Sequence, residues 1–186
     1  MFRYFIAAIS MLVFVSAFVF TCNTAVALTL KSKAIRAGKT IRNAQVYNGF
    51  GCKGKNISPD LEWSHAPKNT KAFAVTVYDP DAPTGAGWWH WIAFNIPAHV
   101  THLNLGAGSG QSTLPTGSIQ GKTDFGMSSY GGPCPPVGDK PHRYQFRVYA
   151  LKAKIPLNSS ASGSMVGFYI NQLKLAEAQL QARYGR

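Results

Sequence analysis

Asp79-Pro80-Asp81-Ala82-Pro83, running on through Gly87-Trp88-Trp89-His90-Trp91, follows directly on an apolar alternation, and the reading of this stretch decides the fold. At period two, Phe73, Val75 and Val77 share one face of a strand whose next members are Asp79 and Asp81, so two carboxylates emerge where the strand leaves the core. His90 opens the next strand, in which His90, Ile92, Phe94 and Ile96 alternate. A third strand follows Gly131-Gly132-Pro133-Cys134-Pro135-Pro136 and carries His142, Tyr144, Phe146 and Val148 on one face. The polar end is C-terminal in the first strand and N-terminal in the second, so antiparallel pairing brings Asp79 and His90 to one sheet edge. Two carboxylates and two imidazoles then meet at one end of a β-sandwich or barrel.

Working outward, Leu28-Thr29-Leu30 and Leu61-Glu62-Trp63 read as short strands, and residues 71–78, 90–96 and 142–151 as strong ones. Residues 106–121 form a glycine- and serine-rich loop with Pro115, expected to be mobile. Near the end, Ser162 or Ser164 caps a helix on which Met165, Tyr169, Gln172, Leu173, Ala176 and Leu180 trace one face, with Arg183 and Gly185 at its close. No repeat or linker divides the chain. Its 186 residues are read as one domain, 28–186, behind a targeting segment, 1–27.

That leading segment has Arg3 in a short basic region, an apolar run from Tyr4 to Phe20 and Ala25-Val26-Ala27 before Leu28, the outline of a secretory signal peptide. The expected location is therefore outside the cytoplasm, periplasmic or secreted. An uncleaved anchor is the lesser reading, and a lipid anchor on Cys22 lesser still, because Phe20-Thr21 is a poor attachment context. Without the signal only Cys52 and Cys134 remain, and in an oxidising compartment a disulfide between them is expected. Two buried thiols are the alternative. A Cys/His metal site is disfavoured, since neither cysteine sits in a C-x-x-C pair.

Nineteen Lys and Arg against seven Asp and Glu give a net charge of +12, and loss of Arg3 with the signal leaves +11. Four of the seven acids, Asp79, Asp81, Asp124 and Asp139, lie inside the motif region, so the remaining surface is almost purely basic and favours anionic partners. Nucleic acid is not expected, because the chain has no basic helix, zinc-finger spacing or aromatic RNA-binding signature. A phosphorylated ligand or a membrane surface fits better.

Together the two motifs, with Trp88-Trp89-His90-Trp91 and Asp124-Phe125-Gly126, resemble the phosphatidylethanolamine-binding protein family, and in detail its bacterial Raf-kinase-inhibitor-like branch. The resemblance runs from about Leu28 to the C-terminus and is densest between Asp79 and Leu151. It implies a compact, mainly antiparallel β fold with peripheral helices and a small pocket for phosphate-type anions, phospholipid head groups included. Asp79, His90, His142 and Tyr144 fall on the pocket positions, with Pro135-Pro136 as a wall and Asp81 just behind. It implies no obligatory cofactor or metal, and a homodimer.

The residues themselves support donors for an anion: two imidazoles and a phenol, with Asp79 placed to orient a histidine ring. Asp81 reads equally well as a cap for the turn at Pro83-Thr84-Gly85. Trp88, Trp89 and Trp91 read as scaffold, with Trp88 or Trp89 at the mouth as the lesser alternative. Enzyme readings find little support. The chain lacks H-E-x-x-H and G-x-S-x-G, and the kinase-like triplet at Asp124 stands without a glycine-rich phosphate loop or strand lysine. The expected function is non-enzymatic binding of a small phosphorylated ligand; the runner-up is a protein-interaction module that inhibits a kinase or hydrolase.

Overall fold

The computed structural model describes residues 27–186 together with Met1; the expected signal peptide otherwise lies outside the described residues. Among the described residues the strands are β1 (Thr29–Lys31), β2 (Leu61–Ser64), β3 (Ala72–Asp79), β4 (Trp88–Pro97), β5 (His102–Leu103), β6 (Ile119–Gln120), β7 (His142–Leu151) and β8 (Lys174–Tyr184), with a helix, α1 (Gly163–Leu173), before the last strand. All named strand pairs are antiparallel. They make a small sheet ordered β1-β2-β5 and a large one ordered β6-β4-β3-β7-β8. The sheets stay open, so the architecture is a layered sandwich rather than a barrel.

β3 is the central strand of the large sheet, and residues 72–77 are buried on both faces. One face carries Phe73, Val75 and Val77 into a core shared with Phe146, Val148 and, from the small sheet, Leu61, Trp63 and Leu103. The other packs Ala74 with Ile92, Phe94 and Leu151 beneath Val166 and Ile170 of α1. Each large apolar side chain fully buried here contributes about 1.5–3 kcal/mol. β3 pairs with β7 without a break from Ala72–Leu151 to Tyr78–Gln145. That register delivers Asp79 and His142 to the same end of the sheet.

The helix begins where expected, with the Ser162 hydroxyl accepting the Met165 N–H at 3.2 Å. It ends eleven residues later. The rest of the expected helix is strand β8, which pairs with β7 from His142–Tyr184 to Leu151–Lys174. Spacings of four, such as Ala176 to Leu180, fit a helical stripe and are also even, so they fit a strand equally well. Tertiary pairing decides between them: Ala176, Ala178, Leu180, Ala182 and Tyr184 pack onto the main core, and β7 gains a partner along its whole length.

The loop expected to be mobile is tied down at its start. Ser58 accepts the Gly106 N–H through its carbonyl and the Gly108 N–H through its hydroxyl, each at 2.8 Å. Cys52 and Cys134 form the expected disulfide, 82 residues apart in sequence. Closing a loop of that length stabilises the fold by about 4–5 kcal/mol in the chain-entropy picture. A Cys52→Ala/Cys134→Ala variant is therefore expected to unfold at clearly lower denaturant than the oxidised protein, and matching midpoints would contradict this role for the bridge.

Candidate functional site

Loops and the ends of three strands, β3, β4 and β7, enclose a pocket of about 160 Å3 at the Asp79 end of the large sheet. Asp79, His90, His142, Tyr144, Pro135 and Pro136 all line it, as the sequence suggested, joined by Trp88, Phe125 and Phe50. Asp81 does not. Its carboxylate turns away and grips Arg143, accepting the backbone N–H at 2.8 Å and Nε at 2.9 Å. That bonding holds the Asp81 carboxyl below the usual aspartate range and raises the Arg143 guanidinium, so Asp81 neither caps the following turn nor reaches the pocket.

Asp79 and His142 are both buried and hydrogen-bonded, the His142 Nδ1–H donating to Asp79 Oδ2 at 2.8 Å. The other Asp79 oxygen, Oδ1, accepts the Asp81 N–H at 2.9 Å. Nε2 of His142 faces Asp139 Oδ2 at 3.3 Å, a contact the sequence reading missed although Asp139 precedes His142 by one turn of chain. Both ring nitrogens of His142 are thus engaged by carboxylates. Its role is to compensate and orient rather than to meet a ligand first.

His90 reaches the pocket by a route that simple alternation does not provide. Ile92 and Phe94, its expected face-mates, lie in the helix-side cluster, whereas His90 packs edge-on to Tyr144 at 5.2 Å on the opposite face. The register explains the crossover: Val77 pairs with Trp91 and Tyr78 with Trp89, so His90 is the extra residue of a β-bulge. Asp124 holds this bulge by accepting the Trp89 N–H at 2.7 Å. Gly131 clamps the histidine from the other side, donating its N–H to the His90 carbonyl at 2.9 Å and accepting from Nδ1–H at 2.7 Å. Nε2 has no hydrogen-bond partner among the described residues. Burial lowers the His90 pKa, with the Gly131 bond and the charges of Asp79 and Asp124 opposing it, and the ring is neutral near pH 7.

The glycines of Gly131-Gly132 are demanded by contact. A Cβ on Gly131 would lie 2.4 Å from the Phe125 ring, and one on Gly132 would lie 2.1 Å from the Gln45 carbonyl oxygen. The Pro135 wall is fixed by the disulfide and by Arg186, which donates to the carbonyls of Pro135 at 2.7 Å and Phe50 at 3.2 Å. Phe50 itself holds a left-handed backbone, φ 52°, and leaves 67% of its surface exposed at the mouth. A non-glycine residue in that region carries strain of order 1–3 kcal/mol.

Two donors on residues that line this pocket have no hydrogen-bond partner among the described residues. Tyr144 is fully buried, and its Oη lies close enough to the Asp79 carboxylate for that group to raise its pKa, yet it does not reach hydrogen-bond geometry with it; Nε1 of Trp88 is likewise without a hydrogen bond among the described residues. Burial and the neighbouring Asp79 charge push the Tyr144 phenol far above its ordinary pKa, so it carries its proton at any physiological pH. Buried polar atoms are almost always satisfied, and a pair of orphans lining one cavity points to a ligand that supplies acceptors. Among the described residues no group of three or more metal-ligating side chains is gathered.

A family model described as phosphatidylethanolamine-binding protein matches residues 31–185. The chain belongs to the phosphatidylethanolamine-binding protein family. Among relatives, YbcL of Escherichia coli is 52% identical over 172 residues, covering 91% of this chain and 94% of that protein. YbhB of the same organism is 46% identical over 158 residues, covering 84% and 99%. The crystal structure of YbcL superposes with a TM-score of 0.84, covering 87% of this chain and 99% of that one. A homologue of the family from Chlamydia trachomatis, 29% identical, superposes at 0.73 over 86% and 98%. Family membership supports a binding protein.

The neutral buried His90 generates a pH signature. Unfolded, the ring takes up a proton near its ordinary pKa of 6.5; folded, it resists until lower pH. The stability present above that pH is therefore lost as pH falls toward the folded pKa. The denaturation midpoint is expected to drop between pH 7.5 and 5.5 in the native protein and to drop less in His90→Gln. Identical profiles would contradict a neutral native ring.

Proposed function

We propose that the pocket binds a small phosphate-type anion, such as a phosphoester or the head group of a phospholipid, without turning it over. The observation that carries this reading is the pair of orphaned donors, Tyr144 Oη and Trp88 Nε1, beside the one free nitrogen of His90. An anionic oxygen satisfies both donors, and hydrogen bonds to a charged group are worth about 1.5–3 kcal/mol each. The pocket is smaller than the roughly 300–1,000 Å3 of sites for drug-sized ligands, which suits a head group and leaves no room for acyl chains. The nearest carboxylate, Asp79, is already compensated by His142 and the Asp81 N–H.

Neutral His90 offers a lone pair at Nε2, so an anion binds well only when a shared proton sits on the ring or on the phosphate. A phosphomonoester has its second pKa near 6. Affinity is expected to rise as pH falls from 8 to 6, by up to about tenfold per unit for one proton taken up.

The rim supports ligand delivery from a surface: Phe50 and Val137 are largely exposed at the pocket-side loops, and the chain is strongly basic. Peripheral contact with an anionic membrane follows from that combination. A phosphorylated or acidic protein partner, as for an inhibitor of a kinase or hydrolase, is the competing occupant of the same donors. The Cys52–Cys134 bridge supports export to an oxidising compartment. We further propose that the protein works there as a homodimer.

Tyr144→Phe separates function from structure. Removing an unsatisfied buried hydroxyl should leave stability unchanged or slightly raised. The same change is expected to weaken phosphoethanolamine binding by about ten- to a hundredfold in calorimetric titration, and Trp88→Phe likewise. Wild-type affinity in both variants would sink the pocket assignment. Binding retained for phosphoethanolamine but absent on vesicles would remove only the membrane part of the reading.

A further inference from the structure

Asn48-Gly49 is the one Asn-Gly pair in the chain, and it sits in the loop that carries Phe50 to the pocket mouth and Cys52 to its disulfide. Tyr47 anchors that loop on one side: its N–H donates to the Pro133 carbonyl at 3.1 Å, and its carbonyl accepts the Gly54 N–H at 2.8 Å. On the other side the Gly49 carbonyl accepts the Cys52 N–H at 2.9 Å. Between these anchors Asn48 is exposed, and neither its side chain nor the Gly49 N–H makes a hydrogen bond among the described residues. A primary amide and the backbone nitrogen next to it are thus left together in water. Glycine is retained here by contact, since a Cβ on it would lie 2.7 Å from the Tyr47 ring, which packs on Phe125 with centroids 4.5 Å apart.

Other asparagines are held differently. Asn56 donates to the Tyr130 carbonyl and accepts the Gly132 N–H, and buried Asn95 is engaged at both amide atoms by Ile155. Asn158 Oδ1 accepts from the Ser160 N–H and hydroxyl. Every asparagine except Asn48 is also followed by a residue with a side chain, which crowds the approach to the next backbone nitrogen. Glycine leaves that approach open and lets the backbone turn to reach it.

We propose that Asn48 is a site of spontaneous modification that ages the pocket mouth. The Gly49 nitrogen, giving its proton to solvent base, attacks Asn48 Cγ; a C–N bond forms, the Cγ–Nδ2 bond breaks and ammonia leaves, closing a cyclic imide. Water then opens the imide at either carbonyl. Opening at Cγ gives aspartate, and opening at the backbone carbonyl gives isoaspartate, whose main chain runs on through Cβ and Cγ. No electrons are exchanged. Either product replaces a neutral amide with a carboxylate two residues before Phe50, and isoaspartate also lengthens the main chain that delivers Phe50 in its left-handed backbone, φ 52°. That the new charge weakens anion binding rests on the phosphate reading of the pocket; the modification itself does not.

Incubation of the folded, oxidised protein at mildly alkaline pH, followed by peptide mapping, tests this. The expected result is the mass gain for replacing an amide NH2 by OH in the peptide that bears Asn48, with isoaspartate revealed by isoaspartyl methyltransferase labelling and heavy oxygen incorporated from 18O-labelled water. The rate should rise with pH, because the attacking nitrogen must lose its proton. Asn48→Gln, whose longer side chain closes a larger ring slowly, should stay intact and bind phosphoethanolamine as the native protein does. Asn48→Asp and the aged native protein should bind it about two- to threefold more weakly at low ionic strength, the scale of one exposed like charge. An unchanged Asn48, conversion only after denaturation, or equal conversion at exposed Asn43 or Asn104 would overturn the site. Full affinity in both the aged protein and Asn48→Asp would overturn its link to the pocket. Fresh native protein that binds no phosphoethanolamine would count against the anion reading instead, and the peptide map still decides the modification.

Discussion

A buried carboxylate at the end of the central strand is the constraint on which the pocket depends. Asp79 and His142 are nearly inaccessible, and an uncompensated charge there would be intolerable. The Asp81 N–H and the His142 ring compensate it, and both can do so only if β3 and β7 keep their register to the last pair. The ring so fixed stacks on Tyr144 with centroids 6.5 Å apart. Asp79 therefore ties strand register to imidazole orientation, and its charge adds to the burial that keeps the Tyr144 phenol protonated.

Around that floor the walls are held at some cost in stability. Phe50 sits in a strained backbone with its ring in water, and two donors are buried without partners. Each unsatisfied buried group costs about 1–3 kcal/mol. The disulfide and the Arg186 clamp offset this by tying the Phe50 and Pro135 loops to one another before any ligand arrives. Pre-organised donors lose less freedom on binding, and that is where the stability given up reappears.

Much of this was legible in the chain because period-two spacing reports directly on which face a side chain takes. Phe73, Val75, Val77 and Asp79 follow it, as do His142, Tyr144, Phe146 and Val148. His90 breaks it, since a bulge depends on Asp124 and Gly131, residues 34 and 41 positions away, and alternation alone assigned it the wrong neighbours. The stretch from Lys174 onward misled for a different reason: even spacings of apolar residues satisfy both periods, and only the free edge of β7 chooses. The sequence reads Trp88 as scaffold first, because an unpartnered indole N–H is a property of packing and leaves no trace in composition.

The account's central claim is that Tyr144 and Trp88 wait for an anionic acceptor. Its most direct test is the indole N–H spectrum of the uniformly 15N-labelled protein titrated with phosphoethanolamine. Trp91, bonded to Gln120 at 2.7 Å, and Trp63, buried without a partner away from the pocket, serve as internal references. The account predicts a saturable downfield shift of the Trp88 indole proton alone, absent in Tyr144→Phe at the same ligand concentration. A Trp88 resonance that stays fixed while ligand binds, or equal movement at Trp63, would contradict it.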